Sequence, residues 1–378
     1  MAKQTILVNA SYAPSLTNFR GPLLAAMVQA GHNVHASAPG LEGEMAQRMR
    51  AIGVTPHNVP LDRAGSNPLA DIAYFKAMSQ LVRTVRADLV LGYTIKPCIW
   101  GSLAARVNRV RSHSLITGLG YAFMSGSGMK QRIVSAVSRR LWRMATAANT
   151  TVIFQNPDDE RDFIAAGALA DPVKARQVAG SGVDMAHYGR VGLPPQPVFL
   201  MISRLLGNKG VREYGRAAAQ LVSQGVGARF QLAGFFDEGP DGIDRAELQT
   251  WVDGGLEYLG PLDDVRPALA QASVYVLPSY REGTPRSVLE AMAMGRPVIT
   301  SDAPGCRETV IDGHNGLLVP PRDVKATAAA MLTMAQDADR RAQMGEAAWQ
   351  ICRSKYAVEQ VNHTMLSHLG LSQNSAAQ

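Results

Sequence analysis

Cysteine is scarce in this 378-residue chain: Cys98, Cys306 and Cys352 stand far apart, with no CxxC spacing. That excludes a disulfide framework and a zinc knuckle, and the usage fits a reducing cytosol. Long apolar runs are missing too. None approaches the roughly 20 residues that cross a bilayer, so any membrane relation is expected to be peripheral. The opening Met1–Asn9 passes after a few apolar residues straight into strand-like sequence and does not read as a signal peptide. None of the eight histidines has HExxH or similar spacing, so no metal site is expected.

What is present is ordinary for a folded protein, with 46% hydrophobic and 18% charged residues. The length favours two domains over one core. A net charge of +7 suits an anionic partner such as nucleic acid, lipid headgroups or a phosphorylated small molecule. No nucleic-acid recognition motif or interleaved aromatic-basic stripe occurs, which argues against the first of these.

Strand and helix signals alternate. Thr5–Ala10, Asn33–Ala38, Asp88–Gly92 and Ser112–Thr117 read as strands, with helices from about Phe19 to Ala30, Glu42–Ile52, Ala70–Val85 and Gly101–Val107. The same grammar returns in Pro197–Ser203, Gly210–Gln224, Arg229–Ala233, Asp264–Ala272, Val274–Leu277, Arg286–Met294 and Pro297–Thr300, with a helical tail from Val324. Such alternation predicts two doubly wound α/β domains with parallel sheets, facing one another across a cleft. The Gly/Pro-rich stretch Gly189–Pro197 is the expected linker, giving domains 1–190 and 191–354. A helix at about 355–370 is expected to pack back on the first domain, with a disordered tail at 371–378.

The strand Val274–Leu277 runs into Glu282-Gly283-Thr284-Pro285 and then a helix, at the carboxyl end of a parallel strand where such sheets bind ligands. Pro285 suits the first helical turn, Thr284 can cap it, and the helix N-terminus favours phosphate. Glu282 and Glu290 flank the turn. Singly they read as a capping acid and a solvated helical residue; as a pair they suit a polyol. Arg204 and Lys209, between the strand Pro197–Ser203 and its following helix, can clamp a diphosphate at the same sheet edge.

Glu282–Glu290 (EGTPRSVLE), its continuation Ala291–Ile299, Asp312–Pro320, and Ser203-Arg204-Leu205 with Lys209-Gly210 resemble the carboxyl-terminal domain of the retaining GT-B glycosyltransferases of family 4. The resemblance implies that Arg204 and Lys209 hold the donor's diphosphate and that Glu282 contacts the sugar hydroxyls. It implies further that backbone N–H groups over Gly283, Thr284, Pro285, Arg286 and Ser287 meet phosphate, that Glu290 takes the ribose, and that Gly234, Leu259 and Gly260 line the base pocket. The implied donor is a UDP-sugar, with no cofactor or metal and no covalent enzyme intermediate. The leaving diphosphate takes the acceptor proton.

In the first half, Asn18-Phe19-Arg20, Thr94-Ile95-Lys96-Pro97 and Thr117-Gly118-Leu119-Gly120-Tyr121 follow strands at the expected catalytic edge. Gly118-Leu119-Gly120 lacks the third glycine of a dinucleotide motif. These loops resemble a subgroup acting on undecaprenyl-diphosphate-linked acceptors, such as N-acetylgalactosaminyltransferases. The acceptor site implied is Asn18, Phe19, Arg20, Thr94, Lys96, Gly118 and Tyr121, with Arg20 and Lys96 on the acceptor's diphosphate. Where many family members carry a histidine, this chain has Lys96-Pro97. Between Gly128 and Ala148, Lys130, Arg132, Arg139, Arg140 and Arg143 alternate with aliphatic residues and Trp142. That composition suits an interfacial helix on the anionic inner face of the cytoplasmic membrane, and equally a domain helix with a basic solvated face.

The function expected is therefore transfer of a sugar, an N-acetylhexosamine by subgroup resemblance, from a UDP-sugar to a lipid-linked saccharide with retention, in the cytoplasm at the inner membrane. A UDP-sugar epimerase of the same fold, a transferase with a soluble acceptor and a non-catalytic nucleotide-sugar binder are the alternatives.

Overall fold

The computed structural model describes residues 2–63, 67–119 and 129–372, without side chains for 129–131. The chain folds as two units, Met1–Ser181 with Val361–Gln378, and Gly182–Gln360.

Unit 1 contains β1 (Thr5–Asn9), α1 (Ala13–Asn18), α2 (Gly21–Gln29), β2 (Asn33–Ala38), α3 (Gly43–Ala51), β3 (Val54–Asn58), α4 (Pro68–Thr84), β4 (Leu89–Tyr93), α5 (Ile95–Val107), β5 (Arg111–Ile116), α6 (Met129–Ala148), β6 (Thr151–Phe154), α7 (Pro157–Ala165) and β7 (Ala175–Gln177). Its sheet runs in the order β3-β2-β1-β4-β5-β6-β7, and every pairing is parallel. The interior strands β4 and β6 are short apolar runs buried along their length, as helices on either side of a parallel sheet require.

Unit 2 contains β8 (Val198–Ile202), α8 (Val211–Ser223), β9 (Arg229–Ala233), α9 (Arg245–Asp253), β10 (Leu256–Gly260), α10 (Arg266–Gln271), β11 (Val274–Leu277), α11 (Arg286–Ala293), β12 (Val298–Ser301), β13 (Gly316–Val319), α12 (Val324–Gln336) and α13 (Ala338–Ile351). Its sheet is also parallel, in the order β10-β9-β8-β11-β12-β13. The last helix, α14 (Val358–His368), begins in unit 2 and ends in unit 1. Both sheets reverse their strand order once, at β1/β4 and at β8/β11, which are the switch points where open α/β sheets take ligands.

Four expectations are corrected. The division falls after Ser181, not after residue 190. The Gly/Pro-rich stretch belongs to unit 2, because Arg296 Nη1 donates to the Gly192 carbonyl (3.1 Å) and Val191 N–H donates to Met294. The chain returns to unit 1 at Val361, and Val361, Met365, Leu369 and Leu371 lie buried in the core against β1, β2 and α2. Leu371 is thus core, not the start of a tail, and residues 373–378 lie outside the described ones. The single helix expected over Phe19–Ala30 is instead α1 and α2 with Phe19 and Arg20 between them.

Trp142 is the fourth correction. It is 2% exposed and packs edge-on against Phe163 (5.1 Å between centroids) in the core beneath α6. It is not a membrane-facing residue.

Candidate functional site

The two turns at the β8/β11 switch point are built into one another. Gly210, closing the β8–α8 turn, has a positive φ and lies so close to the Pro278 carbonyl that a Cβ would collide with it. Across that contact the Asn208 carbonyl accepts from the Tyr280 N–H (2.9 Å) and lies 3.1 Å from the Ser279 hydroxyl. Lys209 is carried to Glu282, with Nζ 2.6 Å from Oε1, and Ser279 Oγ lies 2.9 Å from the same oxygen. Lys209 and Glu282 are largely buried, so the pair is screened less than a surface one. Below Glu282, Gly305 leaves space that a Cβ would fill with a clash on the Glu282 carbonyl, and Glu282 N–H donates to Pro304.

The helix that follows has Pro285, not Thr284, as its N-cap. The amino end of α11, with the positive end of its dipole, faces this turn. Glu290 is 8% exposed rather than solvated; its Oε1 accepts from Arg286 Nε at 2.8 Å. Its other neighbour is Tyr188, whose hydroxyl is pushed up by burial and then by the Glu290 carboxylate. Tyr275, buried on β11, ties the constellation together. Its hydroxyl donates to the Ile202 carbonyl (3.0 Å) and interacts with Ser287. Burial raises its pKa first, and both Glu290 and Glu282 raise it further, so both carboxylates act on one point. Cys306 lies within the field of Glu282 and Lys209, and burial pushes its thiol up to about 12.

Arg204 is the exposed member of the group. Its Nη1 donates to Asp237 Oδ2 at 2.9 Å, and Asp237 belongs to the loop after β9. Gly234, at the head of that loop, donates its N–H to Gly260 (2.9 Å) and accepts from the Tyr258 hydroxyl (2.7 Å). Gly234, Tyr258, Leu259 and Gly260 therefore form one rim, with the exposed Phe235 beside it.

Sequence reasoning passed over Tyr188, Tyr275, Ser279, Tyr280, Glu213 and Asp237. Tyr280 donates to Glu213 Oε1 at 2.7 Å beneath the Arg322 guanidinium, 4.7 Å from the ring centre. Asp237, Ser279 and Tyr280 lie in loops that follow strands and so left a readable signal, whereas Tyr275 and Glu213 look like core and helix residues. A cavity of about 700 Å³ lined by His314, Asp337 and Arg340 opens by the amino end of β13, away from these turns.

Unit 1 gathers the expected acceptor residues at the carboxyl ends of β1, β4 and β5. Asn9 ends β1 fully buried, accepting from Ser37 Oγ (2.9 Å) and Tyr74 OH (2.8 Å). Thr94 has φ 69° and ψ 161°, a conformation costly for a residue with a Cβ, and its hydroxyl donates to Ser11 Oγ at 2.8 Å. Lys96 is paired with Asp71 (2.7 Å). Arg20 is 5% exposed with its guanidinium 5.2 Å from the Tyr93 ring centre, whereas Phe19 is exposed. Asn18 ends α1, and Gly118 follows β5 with φ 147°. Tyr121 and the side chain of Lys130 lie outside the described residues. Among the described residues, no group of three or more His, Cys, Asp or Glu could hold a metal ion, and no helix is long and apolar enough to cross a membrane.

Residues 19–180 match the model of a glycosyl transferase 4-like domain, and residues 196–337 that of glycosyl transferases group 1. The chain is a GT-B glycosyltransferase of group 1. It is 27% identical over 326 residues to the N,N'-diacetylbacillosaminyl-diphospho-undecaprenol alpha-1,3-N-acetylgalactosaminyltransferase of Campylobacter jejuni, covering 82% of this chain and 84% of the relative. It is 25% identical to a putative glycosyltransferase, EpsD, of Bacillus subtilis, over 82% of each. Among solved structures, the fold is shared with Anabaena HepE in complex with UDP and glucose (TM-score 0.75, 18% identity, 97% of this chain and 99% of that one). It is shared also with a glycosyltransferase from Rickettsia africae (TM-score 0.78, 15% identity, 99% and 100%).

Proposed function

We propose that this glycosyltransferase moves an N-acetylhexosamine from a UDP-sugar to a lipid-diphosphate-linked saccharide, with retention at the anomeric carbon, in glycan assembly. The observation that carries the donor half is the Lys209–Glu282 pair, fixed at a sheet switch point beside the N-terminus of α11. Lys209, Arg204 and the α11 N-terminus stabilise the diphosphate as negative charge builds on it during departure. Glu282 takes a sugar hydroxyl, and Glu290, oriented by Arg286 and Tyr188, takes the ribose. No metal is called for where fixed cations meet the diphosphate.

The acceptor half draws support from the relative that acts on a diphospho-undecaprenol substrate. In this reading Asn18, Phe19, Arg20, Thr94, Lys96 and Gly118 serve the acceptor. The membrane face is α6. Ile133, Val137 and Met144 form an exposed stripe on it, and Arg132, Arg139, Arg140 and Arg143 are exposed as well. An aliphatic stripe beside guanidinium groups fits an anionic headgroup layer, to which the protein binds from the cytoplasm.

Purified protein incubated with labelled UDP-N-acetylhexosamines and a short-chain undecaprenyl-diphosphate-linked sugar should extend the acceptor by one hexosamine, read by mass. Release of an epimerised nucleotide sugar without acceptor, or transfer only to a soluble sugar, would overturn the proposal.

A further inference from the structure

Two aspartates four residues apart, Asp237 and Asp241, reach from the β9–α9 loop to the β8–α8 turn. Asp241 serves the backbone: its Oδ2 accepts from Asn208 N–H (2.6 Å), and its Oδ1 lies 3.3 Å from Arg212 Nη1. Arg212 is in turn held by Glu247 through Nε (2.8 Å) and Nη2 (3.0 Å). The turn and the loop are stitched by Leu205 N–H to Phe235, Ile243 N–H to Leu205 and Gly207 N–H to Asp241. Asp237 is anchored within this frame, its Oδ1 accepting from Gly239 N–H at 2.9 Å and its Oδ2 from Arg204 Nη1 at 2.9 Å.

We propose that Asp237 is the positioning residue for Arg204, holding its guanidinium in place for the donor's diphosphate. The inference rests on the reading that Arg204 meets that diphosphate. A half-exposed arginine has much rotamer freedom to lose, and here one nitrogen of the planar fork is tethered to a carboxylate that the loop backbone itself anchors. Only one arm is used, so the remaining N–H groups of the fork can take two phosphate oxygens side by side. The carboxylate opposes the approaching anion through space. Because it is fixed to the loop and touches only Nη1, it orients the cation more than it competes for it. Asp241 gives the turn its backbone shape; Asp237 gives it the direction of its charge.

The test is calorimetric binding of UDP, and of uridine as the probe lacking phosphate, to wild type, Asp237→Ala, Asp237→Asn, Arg204→Ala and the Asp237→Ala/Arg204→Ala pair. Asp237→Ala should weaken UDP about tenfold, in line with the loss of one charge-assisted hydrogen bond, and leave uridine unchanged. Asp237→Asn keeps an acceptor for Gly239, guards against misfolding, and should fall between. The double variant should bind UDP no more weakly than Arg204→Ala. Tighter UDP binding by Asp237→Ala would make the carboxylate a competitor and overturn the inference. So would equal losses for UDP and uridine, or an undiminished effect in the Arg204→Ala background. If Arg204→Ala binds UDP weakly while Asp237→Ala matches wild type, the positioning role alone fails. If Arg204→Ala binds UDP like wild type, the diphosphate assignment falls with it.

Discussion

Lys209 and Glu282 are 73 positions apart in sequence and 2.6 Å apart in space. Neither is a bare charge awaiting a ligand. Each holds the other in place, and Ser279 adds a third group to the same oxygen. Removing either partner leaves a mostly buried charge without its counterpart, so the effects should be sharp. We expect Lys209→Ala, Glu282→Ala and Arg204→Ala each to lower turnover roughly 10²- to 10³-fold, as loss of a fixed electrostatic group does elsewhere. Circular dichroism should remain native. Near-wild-type turnover in all three would remove the site assignment.

His113, fully enclosed on β5, gives a residue-scale prediction about stability. Its Nδ1 meets Thr151 Oγ1 at 2.6 Å, while its Nε2 has no hydrogen-bond partner. Burial, helped by Arg111, lowers its pKa from 6.5 to about 4. The unfolded imidazole is protonated below 6.5 and the folded one only near 4, so the unfolded state binds more protons between these values. Stability contributed by neutral His113 is full above 6.5 and is lost as pH falls toward 4, by about 3 kcal/mol at its full extent. Thermal melts of His113→Gln against wild type from pH 7 to 4 should show a smaller pH-dependent drop in the variant.

At the scale of elements, strands that stop at a Pro or Gly turn were legible from that punctuation, and β11 also as an unbroken apolar run. Asn33–Ala38, Arg229–Ala233 and Val274–Leu277 coincide with β2, β9 and β11. The edge strands were not legible. β3, with Thr55, Pro56 and His57, β7 with Arg176 and Gln177, and β10 with Glu257 are half polar and look like loops. The same physics explains the site: Arg204, Lys209 and Glu282 sit in turns and Glu290 one turn into α11, all within local motifs. Tyr188, Tyr275 and Asp237 matter only through partners far along the chain.

Helix α6 shows both outcomes within one element. Its composition pointed to a surface, and Arg132, Arg139, Arg140 and Arg143 are exposed; yet Trp142, the residue most suggestive of an interface, turns into the core. Replacing Arg132, Arg139 and Arg143 together by Ser should reduce binding to anionic vesicles by about two orders of magnitude at low salt, near 1 kcal/mol per cation. Co-sedimentation would measure it. Trp142→Phe should leave vesicle binding unchanged while lowering the melting temperature. Unaltered sedimentation of the triple variant would remove α6 as the membrane face.

On the scale of the whole molecule, unit 1 is closed by the end of the chain. Met365 is 1% exposed among Leu24, Val34 and Leu91, although nearly the whole of unit 2 separates it from them in sequence. Met365→Ala should cost unit 1 about 3 kcal/mol. Hydrogen exchange would then quicken in β1, β2 and β4 and stay unchanged in β8 and β11. Equal loss of protection in both sheets would contradict the division into two units.

The return of α14 also orders events at the ribosome. Unit 2 has all of its residues once Gln360 has emerged, whereas the earlier-synthesised unit 1 still lacks Val361, Met365, Leu369 and Leu371. A nascent chain therefore finishes its second-made unit first and carries an incompletely sealed core until Leu371 has been made. Truncation just before Val361 would leave unit 2 whole and unit 1 without Val361, Met365, Leu369 and Leu371, a product with an open apolar core that chaperones bind.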